Sequence, residues 1–185
     1  GRKILLIALG AIAVMPALVI PWGHISRPRE ELGGVRPRFQ IVGEINDVII
    51  IDDYAHHPTE IEATLAAARQ QYPGRRLWAI WQPHTYSRTR LLQDRFATSF
   101  EDADRVVVLD IYRSRERDTL GIDSAQMVAG MAHRQAEYIG RREDAAAHLV
   151  DRVRPGDVLL TLGAGDGDLV GQWVLDGLKE RERGG

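Results

Sequence analysis

The stretch "RFQIVGEINDVIIIDDYAHHPTEIEATLAAARQQY", residues 38–72, contains the pattern that decides the fold. Two apolar runs flank Asn46 and Asp47, a pair that favours a hairpin turn, so the first half predicts two short antiparallel strands. The second run is almost continuously apolar, which is typical of a strand covered on both faces. A polar segment, residues 52–57, separates this strand from the start of a helix.

The helix is predicted over "PTEIEATLAAARQQY", with Pro58 in its first turn. Thr59 and Glu62 have the spacing of a capping box. Apolar residues at helical spacing would form its inner face: Ile61, Leu65 and Ala68. The turn residues in "PGRR" then end the helix.

The same strand–helix unit repeats along the rest of the chain. Strands are predicted at "RLWAIWQ", "RVVVLD", "AEYI" and "DVLLTLG", and helices at "SRTRLLQDRFATSF", "DSAQMVAGM", "REDAAAHLVDRV" and "LVGQWVLDGLKER". This alternation predicts an α/β fold. We expect a Rossmann-like, mostly parallel sheet with helices on both faces, preceded by a short hairpin.

Polar clusters follow four of the predicted strands, at residues 52–57, residues 84–88, Asp110 and residues 163–166. Ligands of open α/β sheets bind beyond the carboxyl ends of the strands. Because parallel strands end at one edge, we expect these clusters to form a single site.

The first cluster, "DDYAHHP", allows three interpretations. Two histidines and two aspartates could bind a transition metal, although adjacent residues diverge in an extended segment and rarely ligate one ion. The same residues could cap the following helix. A carboxylate at this position could also accept hydrogen bonds from the hydroxyls of a ribose.

The second cluster, "PHTYSRTR", places His84, Arg88 and Arg90 at the opening of a helix. A helix start and an arginine side chain together favour a carboxylate or a phosphate. The simpler alternative is a solvated first turn with Ser87 as its N-cap. The turn "GAGDGD" alone is weak evidence for a phosphate site, because it lacks the full glycine fingerprint and a Walker lysine.

Composition excludes several classes of protein. The 185 residues carry a net charge of -2 and no cysteine, so neither a nucleic-acid partner nor a disulfide framework is expected.

The apolar residues 4–22 have the length of a membrane anchor. Pro16 and Pro21 instead favour a buried helix followed by a loop, so a membrane location is not expected.

Five ordered segments, "GVRPRFQIVGE", "IDDYAHHPTEI", "QPHTYSRTRLL", "DIYRSRERDTLGI" and "LLTLGAGDG", resemble the C-terminal domain of the bacterial Mur ligases. The resemblance is strongest to the branch that joins L-alanine to UDP-N-acetylmuramate. The murein tripeptide ligases share the double histidine but differ at "PHTYSRT". The resemblance implies a C-terminal domain over residues 34–185, and a remnant of the central ATPase domain or a linker over residues 1–33.

The family is cytoplasmic, works in peptidoglycan synthesis and uses ATP and Mg²⁺, and the resemblance implies roles for six residues. Arg38 would contact the ATP phosphates and Asp53 the ribose. The amino-acid substrate would be bound by four residues: Tyr54, His56, His84 and Arg88. His57 would cap the helix behind them. No residue of this chain is expected to bind the metal, whose ligands lie in the N-terminal and central domains.

The sequence contains no P-loop, so we expect the 185-residue chain alone neither to hydrolyse ATP nor to form an amide bond. It would need the N-terminal and central domains of the same enzyme as partners. A stand-alone module that binds a nucleotide or an anion is the alternative. A phosphate-release assay with ATP, UDP-N-acetylmuramate and L-alanine checks the expectation, and alanine-dependent release by this chain would contradict it.

Overall fold

The computed structural model describes residues 38–184, in which six strands form one sheet with the order β1-β2-β6-β3-β4-β5. β1 is antiparallel to β2, and the other neighbouring strands are parallel. The strands are β1 Gln40–Ile45, β2 Val48–Asp53, β3 Arg76–Trp81, β4 Arg105–Val108, β5 Ala136–Tyr138 and β6 Asp157–Leu162. The predicted hairpin and mostly parallel sheet are therefore confirmed. The assignment of residues 1–33 concerns a segment outside the described residues.

The hairpin turn has the geometry that its two residues favour. Asn46 and Asp47 have φ angles of 49° and 61°, and Ile45 lies opposite Val48. Positive φ at both central residues is the signature of the tight turn whose twist matches the flanking strands. The turn therefore fixes the register in which β1 borders the sheet.

Helices cover both faces of the sheet, as predicted. They are α1 Pro58–Gln71, α2 Tyr86–Leu91, α3 Gln93–Phe96, α4 Ser124–Gly130, α5 Arg142–Arg152 and α6 Asp168–Gly184. Successive side chains of β2 alternate between the faces: Ile49 and Ile51 pack with α1, α3 and α4, whereas Val48 and Ile50 pack with α5 and α6. The near-continuous apolar strands thus reflect two separate cores.

Helix α1 has the predicted inner face, since Ile61, Leu65 and Ala68 are all buried. Its predicted capping box was wrong. His57, not Thr59, is the N-cap, and its partner is Glu60. The helix begins at Pro58, whose fixed φ suits the first helical position, so the box lies two residues earlier than the sequence suggested. The predicted capping role of His57 is confirmed.

The single helix predicted over "SRTRLLQDRFATSF" is divided into α2 and α3. Leu92 lies between them with φ -111° and ψ 16°, outside helical geometry. After this break Phe96 and Phe100 pack on Trp81, with ring centroids 4.7 and 5.2 Å away. The break therefore separates the polar helix at the sheet edge from the aromatic core.

No helix within residues 38–184 is long and apolar enough to cross a membrane. The apolar residues 4–22 lie outside that range.

Candidate functional site

The four predicted polar clusters lie at the carboxyl edge of the sheet, where β2, β6, β3 and β4 end. The rings of His56 and His84, from the first two clusters, have centroids 6.2 Å apart. The backbone N–H of Gln82, after β3, donates to the carbonyl of Leu162, at the end of β6, over 3.0 Å. Segments far apart in sequence therefore meet along this carboxyl edge of the sheet, which is called the rim below.

The loop between β2 and α1, called the double-histidine loop because it contains His56 and His57, is held by hydrogen bonds to the first turn of α1. The backbone N–H groups of His56 and His57 donate to Glu60 Oε2 over 3.1 and 3.2 Å. The His56 ring lies edge-on to Tyr54, with centroids 4.9 Å apart, and its Nδ1 is 2.8 Å from the Tyr54 carbonyl. Tyr54 and His56 thus form a fixed wall of the rim.

Asp53 is buried, with 2% of its surface exposed. Its Oδ2 accepts the backbone N–H of Phe39 over 2.8 Å, and its Oδ1 accepts that of Ala55 over 2.7 Å. Burial raises the pKa of Asp53, and the two backbone hydrogen bonds oppose that shift. A ribose would reach this buried carboxylate only after a local rearrangement, for example of the Phe39 segment, so the predicted ribose contact stays a prediction.

Arg38 lies beside Asp53 but pairs with Glu60, whose Oε1 is 2.6 Å from Arg38 Nη2. Burial alone would raise the pKa of Glu60, but the hydrogen bonds from Arg38 and His56 outweigh it and lower this pKa. The hydrogen bond to Glu60 correspondingly raises the pKa of Arg38. Sequence reasoning missed Glu60, although its spacing from His57 is that of a capping box.

Helix α2 carries Arg88 at the rim. Thr85, with φ 67°, is its N-cap and accepts the backbone N–H of Arg88 at 3.4 Å. Ser87 is not the cap, and its backbone N–H donates to Glu116 Oε2 over 3.1 Å. Because the helix-start amides already have these partners, an anion at this end depends on the arginine side chain.

Arg88 has an unused donor. Its Nη1 is buried and has no hydrogen-bond partner among residues 38–184. A buried charged donor without a partner costs free energy, so an acceptor that binds to it would be stabilising. A carboxylate or phosphate is the acceptor that a guanidinium matches best.

The His84 ring is positioned by Tyr112, which sequence reasoning also missed. The two rings stack with centroids 5.5 Å apart and an interplanar angle of 21°. Backbone hydrogen bonds of 2.8 Å link Tyr112 to Pro83 and to Thr85 on either side of His84. A signal existed in the loop "DIYRSRERDTLGI", because Tyr112 lies two residues after the predicted strand end and therefore near the rim.

The "GAGDGD" turn is attached to the end of β3 by Gln82. Oε1 of Gln82 accepts the backbone N–H groups of Asp166 and Gly167, each over 2.9 Å, and its Nε2 donates to Asp166 Oδ1 over 2.8 Å. Arg142 also pairs with Asp166 at 2.5 Å. Two amides of the turn are therefore occupied within the protein and are not available to a phosphate in this conformation.

The histidine pair has two different partners. His56 Nδ1 lies near the Tyr54 carbonyl, whereas His57 Nδ1 accepts the backbone N–H of Thr59. Over the described range, 38–184, no group of three His, Cys, Asp or Glu side chains could hold a metal ion. The described residues thus contain no ready-made metal cluster, whereas Mg²⁺ that arrives with ATP needs only one or two carboxylates beside the phosphates.

Comparison with known proteins identifies related sequences and folds. Residues 37–165 match the family model described as Mur ligase, glutamate ligase domain. The UDP-N-acetylmuramate--L-alanine ligase of Roseiflexus sp. (strain RS-1) is 45% identical over 174 residues, which is 94% of this chain and 37% of that relative. The chain thus spans well under half the length of the curated relatives it matches.

Two solved structures have the same fold. The UDP-N-acetylmuramate-alanine ligase of Thermotoga maritima gives a TM-score of 0.66 at 26% identity, over 98% of this chain and 39% of that one. A murein peptide ligase from Psychrobacter arcticus gives a TM-score of 0.61 at 25% identity, over 79% of this chain and 30% of that one.

The packing around the "GAGDGD" turn predicts that Gly165→Ala destabilises the chain by about 1–3 kcal/mol. A Cβ at this position would lie 2.6 Å from Tyr112 Cγ and would also contact Gln82 Oε1, which its hydrogen bonds hold in place. Urea unfolding measures the loss. Gly130→Ala is the control, because a Cβ there meets nothing within 4 Å. Equal stability of the two variants would contradict the described packing.

Proposed function

Because this chain belongs to the Mur ligase family, we propose that it is the C-terminal domain of a ligase that uses ATP to join L-alanine to UDP-N-acetylmuramate. The names and identities of its relatives support this substrate pair. The observation that carries the proposal is the buried Nη1 of Arg88 at the rim of the sheet, which has no hydrogen-bond partner within residues 38–184.

In this proposal Arg88 binds the carboxylate of L-alanine. The guanidinium would donate to the carboxylate and so satisfy the buried Nη1. His84 is held on the same side by the stacked ring of Tyr112 and would be a second contact to the carboxylate. Tyr54 and His56 lie across the rim from His84 and would border the amino and methyl groups.

The nucleotide would bind on the side of Arg38 and Asp53. Arg38 has a half-exposed side chain, so phosphates could reach it by competing with Glu60. Asp53 lies at the end of β2, where a carboxylate is expected to contact ribose hydroxyls. It could make this contact after Phe39, whose backbone N–H donates to it, has moved away. Both contacts require local rearrangement, which suits a domain that closes on its substrates.

The chemistry would proceed in two displacements. A carboxylate oxygen of the muramate attacks the γ-phosphorus of ATP, and the bond to the ADP oxygen breaks. The nitrogen of L-alanine then attacks the acyl carbon, forming the amide while the bond to the phosphate oxygen breaks and the nitrogen loses a proton. The residues of this chain would bind and orient alanine and would exclude water from the acyl phosphate.

Mg²⁺, which this family uses, would neutralise phosphate charge during the transfer. No group of three metal-binding side chains lies within residues 38–184, and we assign the Mg²⁺ ligands to the other domains of the enzyme.

Substitution of Arg88 tests the amino-acid site. In the full-length ligase that carries this chain, Arg88→Ala should raise the KM for L-alanine roughly tenfold to hundredfold, because a charge-assisted contact is lost. The KM for ATP should change less than twofold. Steady-state ADP release at varied alanine and varied ATP gives both constants.

Arg90→Ala is the matched control, because Arg90 lies on the same helix with an exposed side chain that donates to the Leu120 carbonyl and contacts none of the proposed site residues. It should leave both constants within about twofold of the wild type. An equal loss for alanine and ATP in Arg88→Ala would contradict the assigned role. A wild-type enzyme that accepts a murein tripeptide substrate but not L-alanine would contradict the proposed function itself.

A further inference from the structure

Glu60 contacts residues from both halves of the proposed site. Its Oε1 is 2.6 Å from Arg38 Nη2, on the nucleotide side. Its Oε2 accepts the backbone N–H groups of His56 and His57 and lies 3.5 Å from the His56 ring nitrogen Nδ1, on the amino-acid side. One carboxylate therefore bridges two groups that would bind different substrates.

Helix capping explains only one of these contacts. A capping box needs a single carboxylate oxygen that accepts the backbone N–H of the N-cap residue, and Oε2 meets that need. The bond from Oε1 to Arg38 joins residues 22 positions apart and has no part in the cap. It connects Arg38, which precedes β1, to the carboxylate that holds the double-histidine loop.

The neighbouring carboxylate on the same helix has a different environment. Glu62 is 3.8 Å from Arg95 and accepts a hydrogen bond from Ser99 Oγ at 3.1 Å, away from both proposed half-sites. Both glutamates lie on α1, Glu60 partly buried and Glu62 exposed, and of the two only Glu60 contacts candidate site residues.

We propose that Glu60 is a positioning residue that couples nucleotide binding to amino-acid binding. This inference rests on the proposed function. Without nucleotide, Glu60 holds Arg38. ATP phosphates compete for Arg38, and once it turns towards them the charge of Glu60 acts on the His56–His57 loop alone. The loop is then held more firmly, which favours L-alanine.

Coupling of this kind is reciprocal. If bound nucleotide improves the affinity for L-alanine by some factor, L-alanine must improve the affinity for nucleotide by the same factor. Measurement of one affinity with and without the other ligand therefore gives the coupling, and the reverse titration checks it.

Glu60→Gln is the informative variant, because glutamine also serves in a capping box but has only one acceptor oxygen. That oxygen can accept the loop amides while the NH₂ group faces Arg38, which releases the guanidinium. We expect the variant to bind a non-hydrolysable ATP analogue about twofold to fivefold more tightly without alanine, the range of a partly exposed ion pair. The coupling factor should fall towards one.

Isothermal titration of the full-length enzyme with the ATP analogue, Mg²⁺ and UDP-N-acetylmuramate, with and without L-alanine, gives these values. Glu62→Gln should keep the wild-type affinity and coupling. Weaker nucleotide binding by Glu60→Gln, unchanged coupling in that variant, or an equal loss in Glu62→Gln would each overturn the inference.

The outcome separates this inference from the proposed function. Alanine-dependent ADP release by the wild type with no coupling, or with coupling that survives Glu60→Gln, would refute only the role of Glu60. Absence of alanine-dependent release by the wild type would refute the proposed function and, with it, the role of Glu60.

Discussion

Five strands of the sheet are parallel, so their carboxyl ends must all lie at one edge, and the candidate site depends on this constraint. β6 is inserted between β2 and β3, although it is the last strand in the chain. This insertion places the "GAGDGD" turn between the double-histidine loop and the segment after β3. Gln82 then fixes the turn with three hydrogen bonds to Asp166 and Gly167. The strand order of the sheet thereby sets the position of side chains at the site.

Sequence periodicity was sufficient for the architecture. Apolar strand runs, the Asn46–Asp47 turn and the inner face of α1 each reflect a local pattern that burial enforces, and the structure agrees with them. Periodicity could not predict the break between α2 and α3 at Leu92, because the packing of Phe96 and Phe100 on Trp81 depends on contacts that are distant in sequence. Both helix starts were misplaced by two residues, since His57 and not Thr59 caps α1, and Thr85 and not Ser87 caps α2.

The rim was predictable as a location, but its internal partners were not. Position after a strand identified the candidate residues, whereas Tyr112, Gln82 and Glu60 act through contacts across 22 or more residues. These contacts change the electrostatic description of the site. Asp53 and Arg38, the residues proposed for the nucleotide, already have protein partners, whereas a buried donor of Arg88 has none in the part of the chain that the structure describes. The two ligands would therefore bind differently. The nucleotide would replace protein partners of Asp53 and Arg38, whereas the amino acid would supply an acceptor to Arg88.

The central claim is that this rim binds the amino acid through Arg88 and the nucleotide through Arg38. A crystal structure of the full-length enzyme with a non-hydrolysable ATP analogue, Mg²⁺, UDP-N-acetylmuramate and L-alanine tests it most directly. The account predicts the alanine carboxylate within about 3 Å of Arg88 Nη1, and Arg38 turned from Glu60 to the phosphates. Alanine bound away from Arg88, with its Nη1 still lacking an acceptor, would contradict the account.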